Sequence, residues 1–136
     1  MYKRSIALNE VALTDSRIML PVDIQSRFKI PLTLVTETVT ANGYTTDFDL
    51  SMISAMEVQI KVTAVGGTSP VLNVYIEGKF EGSGDYKVIA SQEGITTTGS
   101  WFFTINPLVF RYIRIRWTIG GTSPSFTFRV EAQGMV

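Results

Sequence analysis

The stretch that decides the fold runs from Met56 to Ala64 and reads Met-Glu-Val-Gln-Ile-Lys-Val-Thr-Ala. Apolar residues occupy every second position of this stretch, and polar or charged residues occupy the positions between them. Because successive side chains of a β-strand point to opposite faces, this alternation predicts a strand with one buried and one solvent-exposed face. The same pattern returns in residues 110–119 and 126–131, so the chain is predicted to contain several half-buried strands.

The composition of the whole chain agrees with a β-rich globular protein. Val, Ile and Thr account for 42 of the 136 residues, and such β-branched side chains favour sheet. Hydrophobic residues make up 45% and charged residues 18%, which is the balance of a folded chain rather than a disordered one. Clusters of turn-forming residues separate about eight strand segments, and no helix is predicted. We therefore predict an all-β fold, an antiparallel β-sandwich or jelly roll.

The pentapeptide Gly-Gly-Thr-Ser-Pro occurs twice, at residues 66–70 and 120–124, with the two copies 54 residues apart. Each copy separates two alternating segments, so we interpret it as the turn of a long antiparallel hairpin. After each copy, the apolar residues lie at the same distances from the first glycine of the motif. Before the two copies, the apolar positions are shifted by one residue relative to each other. We interpret the echo as half a repeat at best, one turn used twice with a bulge in one copy.

Residues 1–31 differ from the rest of the chain, because their apolar residues hold neither the strand nor the helix period for long. Pro21 and Pro31 favour extended backbone in the residues before them. We predict an extended N-terminal arm over residues 1–31 and a β-domain over residues 32–136. The arm would either form a short first strand with loops of its own domain or contact another subunit through its apolar side chains. The interface candidates in the arm are Ile6, Leu8, Ile18 and Leu20.

The absence of Cys and His excludes several kinds of site. A chain without them forms no Cys/His zinc site, no Ser–His or Cys–His nucleophile pair and no disulfide. The formal net charge is zero, from 12 basic and 12 acidic residues, whereas nucleic-acid-binding domains usually show a clear basic excess. No apolar run approaches the roughly 18 residues of a membrane span. We therefore expect no enzyme activity, no cofactor, no metal, no nucleic acid partner and no membrane association.

Three consecutive aromatic residues, Trp101, Phe102 and Phe103, lie in one predicted strand. Neighbouring side chains of a strand point to opposite faces, so at least one of the three must point away from the core. We expect that residue to be Phe102. Such a side chain could contribute to a subunit interface, fill the core of a bulged strand or form a platform for a ligand.

A second candidate set is basic and aromatic. Tyr112, Arg114 and Arg116 share one face of a predicted strand. We expect this face to pair with an acidic surface of a neighbouring molecule, which includes another copy of the chain. The alternative is an ordinary exposed cross-strand pair, such as Arg116 with Glu131, which would contribute little stability.

Asp47 and Asp49 are the carboxylates most suited to chemistry, because two residues of spacing along a strand places them on one face. Glycosidases use two carboxylates for catalysis, and calcium sites use clustered oxygen atoms as ligands. The surrounding loop lacks the repeated Asp and Asn spacing of a calcium site. We therefore expect a solvated strand face here.

Residues 58–70 and 111–124 resemble segments of small virion proteins of tailed bacteriophages, with a strand, a Gly-Gly-Thr-Ser-Pro turn and another strand. The Arg-Tyr-Ile-Arg run that begins at Arg111 is part of the similarity, which covers about residues 56–132. The resemblance implies a β-sandwich structural protein, foremost a capsid decoration (cement) protein. It implies a homo-oligomer that binds the major capsid protein or another virion protein, in a virion assembled in the host cytoplasm. The alternatives are a phage tail or neck component and a carbohydrate-binding β-sandwich module.

Overall fold

The computed structural model describes residues 29–82 and 84–136, within which Ile30–Gly134 form one compact unit. The arm candidates Ile6, Leu8, Ile18 and Leu20 lie outside the described residues. The prediction of an all-β fold is confirmed, because the described residues contain strands and no helix. None of the described residues therefore belongs to a helix long and apolar enough to cross a membrane.

The described residues contain seven strands in one antiparallel sheet, whereas the sequence predicts about eight. The strands are β1 (Lys29–Val39), β2 (Gly43–Tyr44), β3 (Phe48–Asp49), β4 (Ala55–Lys79), β5 (Lys87–Ile95), β6 (Gly99–Ile105) and β7 (Tyr112–Met135). Their order is β1-β7-β4-β5, with β2 and β3 paired to β7 and with β6 paired to β4. The long strands β4 and β7 therefore lie in the middle, and the shorter strands form the edges.

Both Gly-Gly-Thr-Ser-Pro segments lie inside long strands and not at hairpin turns. β4 has 25 residues and β7 has 24, and each continues through its copy of the motif. Residues 56–62 of β4 pair with β6, whereas residues 72–78 pair with β5. The predicted hairpins are therefore wrong. Each predicted hairpin is one long strand, which removes two strands from the predicted count, and the division of one edge into the short strands β2 and β3 adds one.

The motif bends each strand through unusual backbone conformations. Gly67 and Gly121 have φ of 98° and 113°, and Ser69 and Ser123 have φ of 49° and 47°. A Cβ atom on Gly67 would lie 2.5 Å from the carbonyl oxygen of Ser123, and one on Gly121 would lie 2.7 Å from that of Ser69. The two motifs therefore pack backbone against backbone, and only glycine fits at residues 67 and 121.

The bend brings the two halves of β7 together across the core. The rings of Trp117 and Phe128 meet edge to face with 5.7 Å between their centroids. In a straight strand these residues would lie about 36 Å apart, because each residue advances the chain by about 3.3 Å. Both halves of β4 and β7 contribute side chains to the same core. The fully buried ones are Val58, Ile60, Leu72, Val74, Ile76, Ile113, Ile115, Phe126 and Val130.

The strand register shows that the chain repeats its own architecture. The pairs between β7 and the strands β2 and β3 have counterparts between β4 and β6. The pair of Gly43 with Trp117 corresponds to the pair of Gly99 with Val62. The pair of Phe48 with Ile113 corresponds to that of Phe103 with Val58, and the pair of Asp49 with Tyr112 corresponds to that of Thr104 with Glu57. Corresponding residues lie 55 or 56 positions apart before the motif and 54 at the motif. The interpretation as half a repeat is therefore wrong, since residues 29–79 and 87–135 are two copies of one unit.

Candidate interaction surface

Glu77 is a carboxylate on β4 that is only 5% exposed. Its two oxygens each accept a hydrogen bond of 2.8 Å, one from Nε of Arg114 and one from Nε of Arg116. Burial by itself would raise the pKa of Glu77, but the two guanidinium groups outweigh burial and hold this pKa below its usual value. The carboxylate therefore stays charged and connects two arginines of β7.

Tyrosine rings surround the same two arginines. The guanidinium carbon of Arg114 lies 3.7 Å from the ring centroid of Tyr86 and 4.6 Å from that of Tyr44. The guanidinium of Arg116 lies 4.2 Å from the ring centroid of Tyr75. A cation over an aromatic face is attracted by the ring quadrupole, so these contacts add to the ion pairs with Glu77.

Asp47 extends this cluster toward the edge strands. Its Oδ1 accepts a hydrogen bond of 2.6 Å from the hydroxyl of Tyr86, and its Oδ2 lies 2.9 Å from Nζ of Lys79. The hydrogen bond from Tyr86, followed by that from Lys79, lowers the pKa of Asp47. Lys79 also lies 5.6 Å from the ring centroid of Tyr112. We call this set the Glu77 network, which comprises Asp47, Glu77, Lys79, Tyr86, Tyr112, Arg114 and Arg116.

Asp49 does not join Asp47 in one site. Its Oδ2 lies 3.1 Å from Nη2 of Arg111, and its Oδ1 accepts a hydrogen bond of 3.1 Å from the backbone of Ser51. The bond with Arg111 is the main reason why the pKa of Asp49 is lowered. The two aspartates therefore belong to separate ion pairs. Within the described part of the chain, no group of three or more acidic residues is placed to hold a metal ion.

The structure places Tyr112, Arg114 and Arg116 together, as the sequence predicts, but gives the arginines a partner in their own chain. Glu77 binds both arginines, so the predicted pair between Arg116 and Glu131 is wrong. Glu131 lies in the other half of β7, beyond the bend, where Oε2 is 3.6 Å from Nε of Arg129. The sequence places Glu77 on the polar face of its strand, but its partners become visible only with the register of β4 and β7.

Phe102 points outward, as predicted. Its side chain is 61% exposed, while Trp101 and Phe103 pack against the core. Phe102 lies on β6, which among the described residues pairs only with β4. The aromatic ring therefore stands at an edge of the sheet.

A groove of about 450 Å³ lies beside Phe102. It crosses four strands, and its floor and walls combine carboxylates, amides and apolar side chains. Its lining residues are Pro31, Leu32 and Thr33 of β1, Glu57 and Gln59 of β4, Phe102 of β6, and Glu131, Ala132 and Gln133 of β7. The hydroxyl of Thr104 donates a hydrogen bond to Glu57 at one side of the groove.

The groove and the Glu77 network occupy corresponding positions in the two copies of the repeated unit. Glu57 of one copy occupies the position that Tyr112 occupies in the other, as the strand register shows. Offsets of 54 or 55 residues relate the other counterparts. The counterparts are Glu131 and Glu77, Gln133 and Lys79, Gln59 and Arg114, and Phe102 and Asp47. Arginine, lysine and tyrosine side chains fill the site in one copy, and glutamine and glutamate side chains leave it open in the other.

Comparison with known proteins adds little to this description. No family model and no curated protein matches the chain. Among solved structures, the chain is similar to a protein of Bacillus endospore appendages, described as a novel family of disulfide-linked pili. The TM-score is 0.42 and the identity 16%, over 80% of this chain and 84% of that chain. A TM-score of this size supports no conclusion about function.

Proposed function

We propose that this protein is a structural component that assembles with other protein chains through the edges of its sheet. The specific setting we propose is a tailed-phage virion, in which the protein decorates and stabilises the head. The sequence resemblance supports that setting. The observation that carries the structural role is the exposed edge strand β6, whose seven residues include no charge and no proline.

The other edge segments differ from β6 in ways that discourage pairing. β1 contains Pro31 and Glu37, and β5 contains two charged residues and two irregularities in its register with β4. β2 and β3 have only two residues each. Charges, proline, bulges and short length are the usual means by which proteins block pairing at a sheet edge. β6 has none of these features, so it is suited to pair with a strand of another chain.

The proposed assembly uses the folded sheet as an antiparallel β-sandwich. The contact between Trp117 and Phe128 supports two facing layers, because it requires the halves of one strand to lie opposite each other. On a lattice, many weak edge contacts combine into strong binding.

The test measures self-association and binding to capsids with purified full-length protein and decoration-free heads of a tailed phage. The informative variant is Phe102→Lys, and the control is Val109→Lys, because Val109 is 64% exposed and lies between β6 and β7. We expect Phe102→Lys to weaken association about tenfold, since it places a charge in the edge. Wild-type protein that binds neither itself nor capsids in sedimentation experiments would contradict the proposal.

A carbohydrate-binding module is the second candidate, and the groove favours it. The exposed ring of Phe102 stands beside Gln59 and Gln133, and planar polar side chains next to an aromatic face suit sugar hydroxyls and rings. A glycan array distinguishes the two functions. Binding of one class of oligosaccharide by the wild type, lost in Phe102→Ala, would favour this candidate over assembly.

A further inference from the structure

The groove differs from the Glu77 network in charge as well as in volume. In the network, the carboxylates of Asp47 and Glu77 face three cations, which are Lys79, Arg114 and Arg116. At the corresponding groove positions, Gln133 and Gln59 replace Lys79 and Arg114, and a second carboxylate, Glu57, takes the place of a tyrosine. The counterpart of Arg116 is Lys61, which does not line the groove. The groove lining therefore carries two negative charges and no positive one.

Glu131 in the groove is not held as Glu77 is held in the network. Arg129 approaches it at 3.6 Å, which is too long for a hydrogen bond. Nε of Arg129 is buried and has no hydrogen-bond partner. The side chain of Glu131 is 40% exposed, against 7% for the side chain of Glu77. A carboxylate oxygen of Glu131 is therefore accessible to a further cation.

We propose that this groove binds an extended basic segment of a partner protein, with arginine side chains in the places that Arg114 and Lys79 fill in the network. The proposal rests on the proposed function only in that the occupant is a protein chain. The network serves as the internal template, because the same backbone register there already places guanidinium groups on the carboxylate of Glu77.

The groove lining provides each element that such a segment requires. Glu57 and Glu131 offer charged acceptors for guanidinium groups, which form their strongest hydrogen bonds with carboxylates. Phe102 presents a ring for stacking, as Tyr86 does for Arg114 at 3.7 Å. Leu32 and Pro31 offer apolar surface to the aliphatic stem of an arginine. The volume of about 450 Å³ lies within the usual range of ligand clefts.

The test uses the full-length protein and fluorescence anisotropy. The probe is a labelled tetrapeptide of two arginines and two tyrosines, and its control is the same peptide with glutamate in place of arginine. We expect only the basic probe to bind, and more weakly as salt rises, because ions screen exposed charges. Glu57→Gln and Glu131→Gln are each expected to weaken binding about fivefold. The matched control, Glu93→Gln on the exposed surface of β5, is expected to leave binding unchanged.

A second variant fills the groove from within the chain. Gln59→Arg places a guanidinium at the position that corresponds to Arg114, where it can pair with Glu131. We expect this variant to fold normally by circular dichroism and to lose binding of the basic probe. Retention of wild-type affinity in Gln59→Arg and in both glutamine variants would overturn the inference.

Four outcomes test this inference, and the last two separate it from the proposed function. Equal binding of the acidic and basic probes, or binding of a neutral oligosaccharide in place of the basic probe, would overturn the inference. Self-association or capsid binding without any binding of the basic probe would also overturn the inference while supporting the proposed function. Probe binding with the expected variant effects, in a protein that binds neither itself nor capsids, would support the inference and overturn the proposed function.

Discussion

The two copies of the repeated unit use one backbone plan and fill it differently. Around Glu77, arginine, lysine and tyrosine side chains close the surface with ion pairs and stacked rings. Around Glu131, glutamine, leucine and phenylalanine leave a groove of about 450 Å³. The comparison shows that the same register can give either a closed, self-neutralised surface or an open acidic one. The choice depends on a few outward-facing side chains, whereas the buried apolar positions maintain the shared plan.

The edges of the sheet show the same divergence. Asp47 and Asp49 lie at one edge, where β2 and β3 are short and ion pairs hold both carboxylates. The corresponding edge strand β6 continues for seven uncharged residues. One copy of the unit thus blocks its edge, and the other keeps an edge that can pair. The open groove and the open edge meet at Phe102, which lines one and belongs to the other.

The largest effect is expected where the two copies meet, at the bend. Gly121→Ala should lower the free energy of unfolding by about 3 kcal/mol, because it combines a positive φ with a close backbone contact. The neighbouring Gly120→Ala is the matched control, since a Cβ there meets nothing within 4 Å. Chemical denaturation of both variants provides the measurement. Equal stability of the two would contradict the packing of motif on motif.

The next largest effect on stability should distinguish Glu77 from its counterpart Glu131. Glu77→Gln should lower the free energy of unfolding by about 2 kcal/mol, because it leaves two half-buried arginines without their counter-charge. Glu131→Gln should change it by less than about 0.5 kcal/mol, as for most exposed substitutions. Urea unfolding of both variants tests the difference. Similar losses in both would mean that the closed and open surfaces are energetically alike.

Acid should weaken the closed surface progressively, because it protonates the carboxylates that form its ion pairs. The pKa values of Glu77, Asp47 and Asp49 are lowered in the folded protein, so the stability they contribute is fully present above their unfolded pKa values. That contribution is lost as pH falls from about 4.3 through the lower folded values. Unfolding curves at pH 6, 4 and 3 measure the loss. In Glu77→Gln the pH dependence should be shallower than in the wild type.

The smallest effect concerns the hydroxyl of Tyr86. Tyr86→Phe keeps the ring over Arg114 but removes the hydrogen bond to Asp47, which should cost about 1 kcal/mol of stability. Because that hydrogen bond is the main cause of the lowered pKa of Asp47, the substitution should raise this pKa toward its usual value. Carboxyl chemical shifts followed during a pH titration report the change. An unchanged Asp47 titration would show that Lys79 alone holds the carboxylate.

Local pattern predicts much of the strand content and the burial of individual side chains. Alternation over Met56–Ala64 correctly assigns Val58 and Ile60 to the core, and the aromatic run correctly assigns Phe102 to the surface. The same pattern does not reveal the partners of Glu77, because pairing depends on the register between distant strands. It also does not reveal the repeat, since the offset between counterparts changes from 55 to 54 across the motif and most counterparts differ in identity.

By itself, the amino-acid sequence determined that this chain is all-β, lacks Cys/His chemistry and places particular side chains inside or outside each strand. Those properties follow from composition and from the two-residue period of a strand, both of which are local. Only the tertiary structure decided that Gly-Gly-Thr-Ser-Pro bends a strand rather than reverses it, because positive-φ residues occur in turns and in bulges alike. The contact between the two motifs selects the bend. The same long-range pairing places the Glu77 network and the groove at corresponding positions.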